Sequence, residues 1–244
     1  MSKRNILRIF ARGVIPLAAV RTGEVGEGLL VRHTRWVRTA HLIHLASFLG
    51  LLLTGLFVYS MTLNHLVDNA GVMVAMRYAH RVLAVIFIAG GIFFLARRED
   101  RESLRRYFFR REPGDWSFFR VALPWIFGRP VDMPAQGKYN GGQKFLFGLV
   151  LAGSAVLAVT GILMWWKGPV PPQVVAWCYP LHDLAAIGLA AVVLAHIYLG
   201  VLFPSTRHTW RSMFQDGMVR AAYARDHYRL WYDEMTQGKE GDRS

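Results

Sequence analysis

The sequence is short of several things that would otherwise direct its reading. It holds one cysteine, Cys178, in 244 residues. That excludes an internal disulfide and any metal cluster held by this chain's cysteines alone. There is no Gly-rich phosphate loop, no HExxH motif, no nucleophile–histidine–acid set and no repeat of 20 to 50 residues; phosphate-loop, zinc-protease and solenoid readings go with them. Acidic residues are few, 16 against 29 Lys and Arg, a formal net charge of +13. Such a balance first suggests nucleic acid, but the basic residues alternate with long apolar runs, as membrane loops do, so no nucleic-acid partner is expected.

What is present is apolar: 53% of the residues are hydrophobic, with a mean hydropathy of +0.25. Four stretches reach the roughly 20 residues needed to cross hydrocarbon, at about 36–63, 71–96, 143–166 and 172–203. The fourth starts at Pro172, a good first helical residue, and carries Pro180 as an interior kink. The expected fold is an all-α integral membrane four-helix bundle, a single membrane domain over 1–244. Residues 1–35 form a basic arm, 97–142 a polar loop and 204–244 a tail. The run Gly13–Val20 resembles a short signal-peptide core; a retained arm on the membrane surface is the favoured reading.

Positive charge orients the spans. Residues 1–38 hold eight Lys and Arg, residues 97–142 ten, and residues 204–244 seven, whereas 64–70 hold none and 167–171 only Lys167. By the positive-inside rule both termini and the long loop are cytoplasmic. The basic block Arg97–Arg111 is expected to favour anionic lipid.

The fourth span carries two histidines, His182 and His196, fourteen residues apart. That is about 3.9 turns, so both rings leave one helix face roughly 21 Å apart along the axis. Ionisable residues inside a membrane mark functional sites, and imidazole is a common axial ligand of haem iron. The other spans supply partners at matching depth. His80 falls in the outer half with His182, and His41 or His44 in the inner half with His196. Two bis-histidine haem b sites between facing helices follow, an arrangement that bundles accommodate. Arg77 and Arg81 beside His80, and Arg38 with Arg35 beside His41, are candidate partners for anionic propionates; snorkelling to headgroups is the alternative, above all for Arg35 and Arg38. His33, His65, His208 and His227 are expected to be solvated.

The segment QGKYNGGQK, residues 136–144, opens the third span. Structurally it reads as an N-cap at Asn140 with Gln143 three residues on. Functionally, the amides of Asn140 and Gln143 and the bare backbone of Gly141 and Gly142, with His196, could hydrogen-bond a quinone headgroup. The two roles are compatible.

These residues bring a family with them. From about Trp36 to Tyr232 the chain resembles the gamma subunit of bacterial respiratory formate dehydrogenases of the N type, a cytochrome b membrane subunit. The resemblance rests on GKYNGGQK, on VTGILMW ending the third span, and on the His182/His196 pair. Weaker support comes from His41 fourteen residues before Gly55, MRYAH ending at His80, SMFQDGMV and HYRLWY. It implies two haem b groups on His41, His80, His182 and His196, choosing His41 over His44, and a quinone site (menaquinone or ubiquinone) by the inner haem. It also implies an iron–sulfur beta subunit and a molybdenum- or tungsten-containing catalytic alpha subunit as partners, and a higher oligomer of the complex. Leu42 after His41, where the family often has Trp, and a longer N-terminal arm are departures that touch no ligand. The expected function is electron transfer from the iron–sulfur partner across the bacterial inner membrane to quinone, with no formate chemistry in this chain. Cytochrome b of a membrane hydrogenase or thiosulfate reductase is the neighbouring alternative. A transporter with an intramembrane His/Arg relay is the alternative from another class.

Overall fold

The computed structural model describes residues 28–60, 62, 63, 65 and 70–237. Most of the expected basic arm, part of the 64–70 connection and the end of the tail lie outside these residues.

Four long helices are formed where the apolar runs are: α1 (Arg35–Tyr59), α2 (Ala70–Ala96), α5 (Gly141–Trp165) and α6 (Pro172–Ile197). A π-helical turn over Tyr198–Leu202 extends α6, giving a span of 31 residues. At about 1.5 Å per residue each exceeds the roughly 30 Å of hydrocarbon. Their outward side chains include Leu53, Val82, Leu184 and Leu194, all exposed. Such a surface suits lipid, because an α-helix pairs the backbone groups of its interior within itself. The helix runs through Pro180 without ending, at the cost of one backbone hydrogen bond.

The described residues fall into two compact units. The membrane unit comprises Thr39–Arg101 and Gly148–Ile197, the greater part of the four long helices. Glycines let its helices approach: a Cβ on Gly50 of α1 would lie 2.8 Å from Leu83 of α2, and one on Gly153 of α5 would lie 3.1 Å from Leu189 of α6. Without a hydrophobic driving force in lipid, close contact of this kind is a main source of helix association.

The second unit takes the described parts of Met1–Arg38, Glu102–Phe147 and Tyr198–Ser244. Residues expected as arm, loop and tail here make a folded body. Strand β1 (Leu29–Val31) pairs antiparallel with β2 (Met218–Arg220), Leu30 opposite Val219. Helices α3 (Arg98–Leu104, shared between the units), α4 (Gly114–Ile126), α7 (Trp210–Phe214), α8 (Ala221–His227) and α9 (Arg229–Gln237) complete the chain. Leu30, Val219, Ala221, Ala224, Tyr228 and Trp231 form its core. The expectation of solvated loop histidines is corrected at His33, which is buried, and at His227, half-buried and stacked 4.0 Å from the ring of Tyr223.

Candidate functional site

Within the membrane unit, two histidine pairs face each other between helices. His41 of α1 and His196 of α6 have ring centroids 6.4 Å apart with planes at 57°. His80 of α2 and His182 of α6 have centroids 6.4 Å apart with planes at 60°. A bond from a first-row metal to an imidazole nitrogen is about 2.0 Å, and the ring centre lies about 1.1 Å beyond it. Two imidazoles binding one iron from opposite sides therefore have centres roughly 6.3 Å apart. Both pairs fit that requirement. Among the described residues no three His, Cys, Asp or Glu gather into a metal site. Haem would ask the protein only for ligands to its iron, and each histidine pair could supply two imidazoles.

His44 does not join a pair. Its Nδ1 lies 2.7 Å from the Ala40 carbonyl, and its ring packs edge-on against Phe87 and close to Gly90 of α2. Three residues turn the helix by about 300°, so His44 leaves α1 roughly 60° from His41, enough to aim its ring at Phe87 and Gly90 of α2 and not at His196.

Two threonines bear on one pair. Thr54 Oγ1 is 3.0 Å from His80 Nδ1, and Thr160 Oγ1 is 2.8 Å from His182 Nδ1. A glycine follows each: a Cβ on Gly55 would sit 3.3 Å from His80 Cε1, and one on Gly161 3.4 Å from His182 Cε1. Neither threonine was singled out from sequence. The signal was the dipeptide Thr-Gly, present in LLTGLF and again in AVTGIL.

The candidate propionate partners are placed differently. Arg81 lies with its guanidinium 5.3 Å from the Trp165 ring centroid, a cation–π contact, and Arg77 is one turn away on α2. Arg38 donates from Nε to the Met213 carbonyl at 2.9 Å and from a terminal nitrogen to the Gln215 carbonyl, tying the start of α1 to the tail.

In the second unit, the start of α5 is built as a reciprocal cap. Asn140 Oδ1 accepts from the Gln143 backbone at 2.8 Å, and Gln143 Oε1 accepts from the Asn140 backbone at 3.1 Å. Gln136, 1% exposed, accepts from the Gly141 N–H at 3.1 Å and donates to the Gly114 carbonyl at 2.9 Å. Lys144 pairs with Asp115 of α4 at 2.8 Å. The expectation that Gly141 and Gly142 leave bare backbone for a headgroup is corrected here. A Cβ on Gly141 would lie 2.3 Å from the Asp115 carbonyl, and one on Gly142 2.7 Å from the Phe118 ring. Helix α4 occupies that space, so these glycines serve packing. Beside the cap, burial lowers Lys138 to about 8, helped by the neighbouring Arg32 charge. Burial also pushes Tyr139, stacked on Phe108 at 4.0 Å, up to about 12.

The chain is similar to known proteins along most of its length. It is 26% identical over 225 residues to the cytochrome b556(fdo) subunit of formate dehydrogenase from Escherichia coli K12, covering 86% of this chain and 95% of that protein. It is 28% identical over 127 residues to the nitrate-inducible cytochrome b556(Fdn) subunit of the same organism, covering 48% and 57%. The formate dehydrogenase cytochrome b556 subunit of Haemophilus influenzae is 24% identical over 213 residues, covering 86% and 85%. The family model for prokaryotic cytochrome b561 matches residues 32–216. Since that match takes in well over half of the sequence, the chain belongs to the prokaryotic cytochrome b561 family, multi-pass inner-membrane proteins that carry electrons on haem b.

Proposed function

We propose that this chain is the dihaem membrane subunit of a quinone-linked formate dehydrogenase complex. The observation that carries the reading is the 6.4 Å separation shared by both histidine pairs. In this reading His41 and His196 hold one haem b, and His80 and His182 the other. Bound haem supplies reversible one-electron chemistry. The chain's residues do the remainder. α6 carries one ligand of each pair, fourteen residues apart, which fixes the two sites roughly 21 Å from each other along its axis. Arg77 and Arg81 on α2 offer guanidinium donors to propionates beside His80.

The assignment to formate dehydrogenase rests on the named relatives. It brings an iron–sulfur subunit, a molybdenum- or tungsten-containing catalytic subunit, anionic lipid and a higher oligomer as expected partners. With both termini cytoplasmic, electrons enter at His80 and His182 and leave to quinone on the cytoplasmic side, drawing protons from there. The cap engages only the side-chain oxygens of Asn140 and Gln143, so each amide retains N–H donors for a quinone carbonyl. Gly142 contributes by packing, and His196 as a haem ligand.

The test is a haem count on purified protein from its reduced b-type spectrum. Two haems per chain are expected. His182→Ala and His196→Ala should each lose one, and His44→Ala should keep both. A count of one in intact protein rejects the paired assignment. Co-purifying molybdenum or tungsten supports the formate dehydrogenase partner, whereas nickel points to a hydrogenase.

A further inference from the structure

We infer that Thr54 and Thr160 are positioning residues that select the iron-binding nitrogen of His80 and His182 and set the electron density on it. The inference rests on the haem assignment just given. Each threonine hydroxyl has one proton, and its nearest carbonyl partner lies one turn back on its own helix. Thr54 Oγ1 is 2.7 Å from the Gly50 carbonyl, and Thr160 Oγ1 is 2.6 Å from the Val156 carbonyl. This back-bonding is the habitual choice of threonine in a helix. A carbonyl accepts and cannot donate, so the hydroxyl proton is spent there. With the hydroxyl proton so placed, the imidazole nitrogens at 3.0 and 2.8 Å are the donors, Nδ1–H of His80 to Thr54 and Nδ1–H of His182 to Thr160, and the Leu51 and Leu157 carbonyls beside them are further acceptors for the same rings.

Two consequences follow from that direction. With the proton fixed on Nδ1, the lone pair is on Nε2 in both rings, and Nε2 is the atom each presents to iron. An imidazole whose N–H donates to a good acceptor is also a more basic ligand. A hydroxyl polarised by its own bond to a carbonyl is a better acceptor than a free one. The more basic pair favours the ferric state and lowers the potential of that haem. Both threonines are buried, Thr54 at 6% and Thr160 at 5% exposure, so water does not replace them. Gly55 and Gly161 complete the device by letting each ring lie within van der Waals contact of the helix that carries its threonine. The arrangement is built twice: α1 serves a ligand on α2, and α5 serves a ligand on α6.

The test is a redox titration of the purified protein, followed in the b-type absorption bands, for Thr54→Val, Thr160→Val and the hydroxyl-retaining Thr54→Ser and Thr160→Ser. Each valine variant should move one of the two haem midpoints to more positive values and leave the other in place. Each serine variant should titrate as the unmodified protein does. Unmoved midpoints in valine variants that keep both haems overturn the inference, as does a serine variant that shifts as far as its valine counterpart. Should a valine variant lose that haem, retention of it at the unmodified potential in the serine variant supports the hydroxyl's role, and loss in serine as well refutes it. The haem assignment fails separately, if unmodified protein holds no pair of haems or if His80→Ala and His182→Ala keep both.

Discussion

A ring proposed to bind iron has to be held in orientation as well as in place, and at this scale the decisive atoms are small. Beside Thr54 and Thr160 stand Gly55 and Gly161, each with its missing Cβ 3.3–3.4 Å from an imidazole Cε1. A methyl group there is tight and needs a few tenths of an ångström of give. A branched side chain has to displace the ring. Gly55→Leu and Gly161→Leu should therefore each cost one haem, while the alanine variants keep two; the reduced spectrum per mole of chain measures it. Gly148→Ala is the control, since nothing lies within 4 Å of its Cβ position. Overpacking in a filled site costs about 1–3 kcal/mol, enough to weaken ligation without unfolding four spanning helices. His80, His182 and His196 were legible as paired positions because depth follows from span order and helical periodicity, whereas those left His41 and His44 both open and only the family resemblance chose His41. The threonines were not legible, because a Thr in a helix ordinarily satisfies itself on its own carbonyls, and only the approach of a neighbouring helix reveals a second partner.

The start of α5 shows the same division at the scale of an element. Asn140 and Gln143 read as a cap from their three-residue spacing, and the reciprocal bonds are there. What spacing could not supply is α4, whose Asp115 carbonyl and Phe118 ring take up the space beside Gly141 and Gly142. Gln136 was equally hidden, since its partners lie on Gly114, Pro134 and Gly141 and depend on a chain reversal between them. These contacts sharpen the test of the quinone reading. Asn140→Ala removes a cap and should lower stability by about 0.5–2 kcal/mol. If the amide also serves quinone, turnover per haem with quinone should fall while reduction by an artificial dye is unchanged. Gln143→Leu should act in the same direction. A loss of stability with quinone turnover per haem intact would leave Asn140 and Gln143 as a cap alone.

For the molecule as a whole, length and hydropathy made the four spans legible, because a run of some 20 apolar residues has few other uses. The second unit was illegible for the opposite reason. Its strands are three residues each, drawn from the two ends of the chain, and polar, basic segments give no periodic signal of a core. Its fold nonetheless bears on orientation. Arg32 is buried there with its guanidinium 3.9 Å from the Tyr228 ring centroid, and Arg106 pairs with Glu234, so part of the basic excess is structural and not merely a topogenic signal. The exposed arginines that remain, among them Arg105, Arg111 and Arg120, still outnumber the single Lys167 of the 167–171 connection. The positive-inside argument therefore survives the discount. The one native cysteine is buried in α6, so introduced thiols can report sidedness cleanly. In intact spheroplasts a membrane-impermeant maleimide should label Gly168→Cys and spare Asp132→Cys, both exposed positions; opening the membrane should make Asp132→Cys reactive. The reverse pattern would put His80 and His182 at the cytoplasmic end of the bundle, reversing the proposed entry side and the side from which quinone takes its protons.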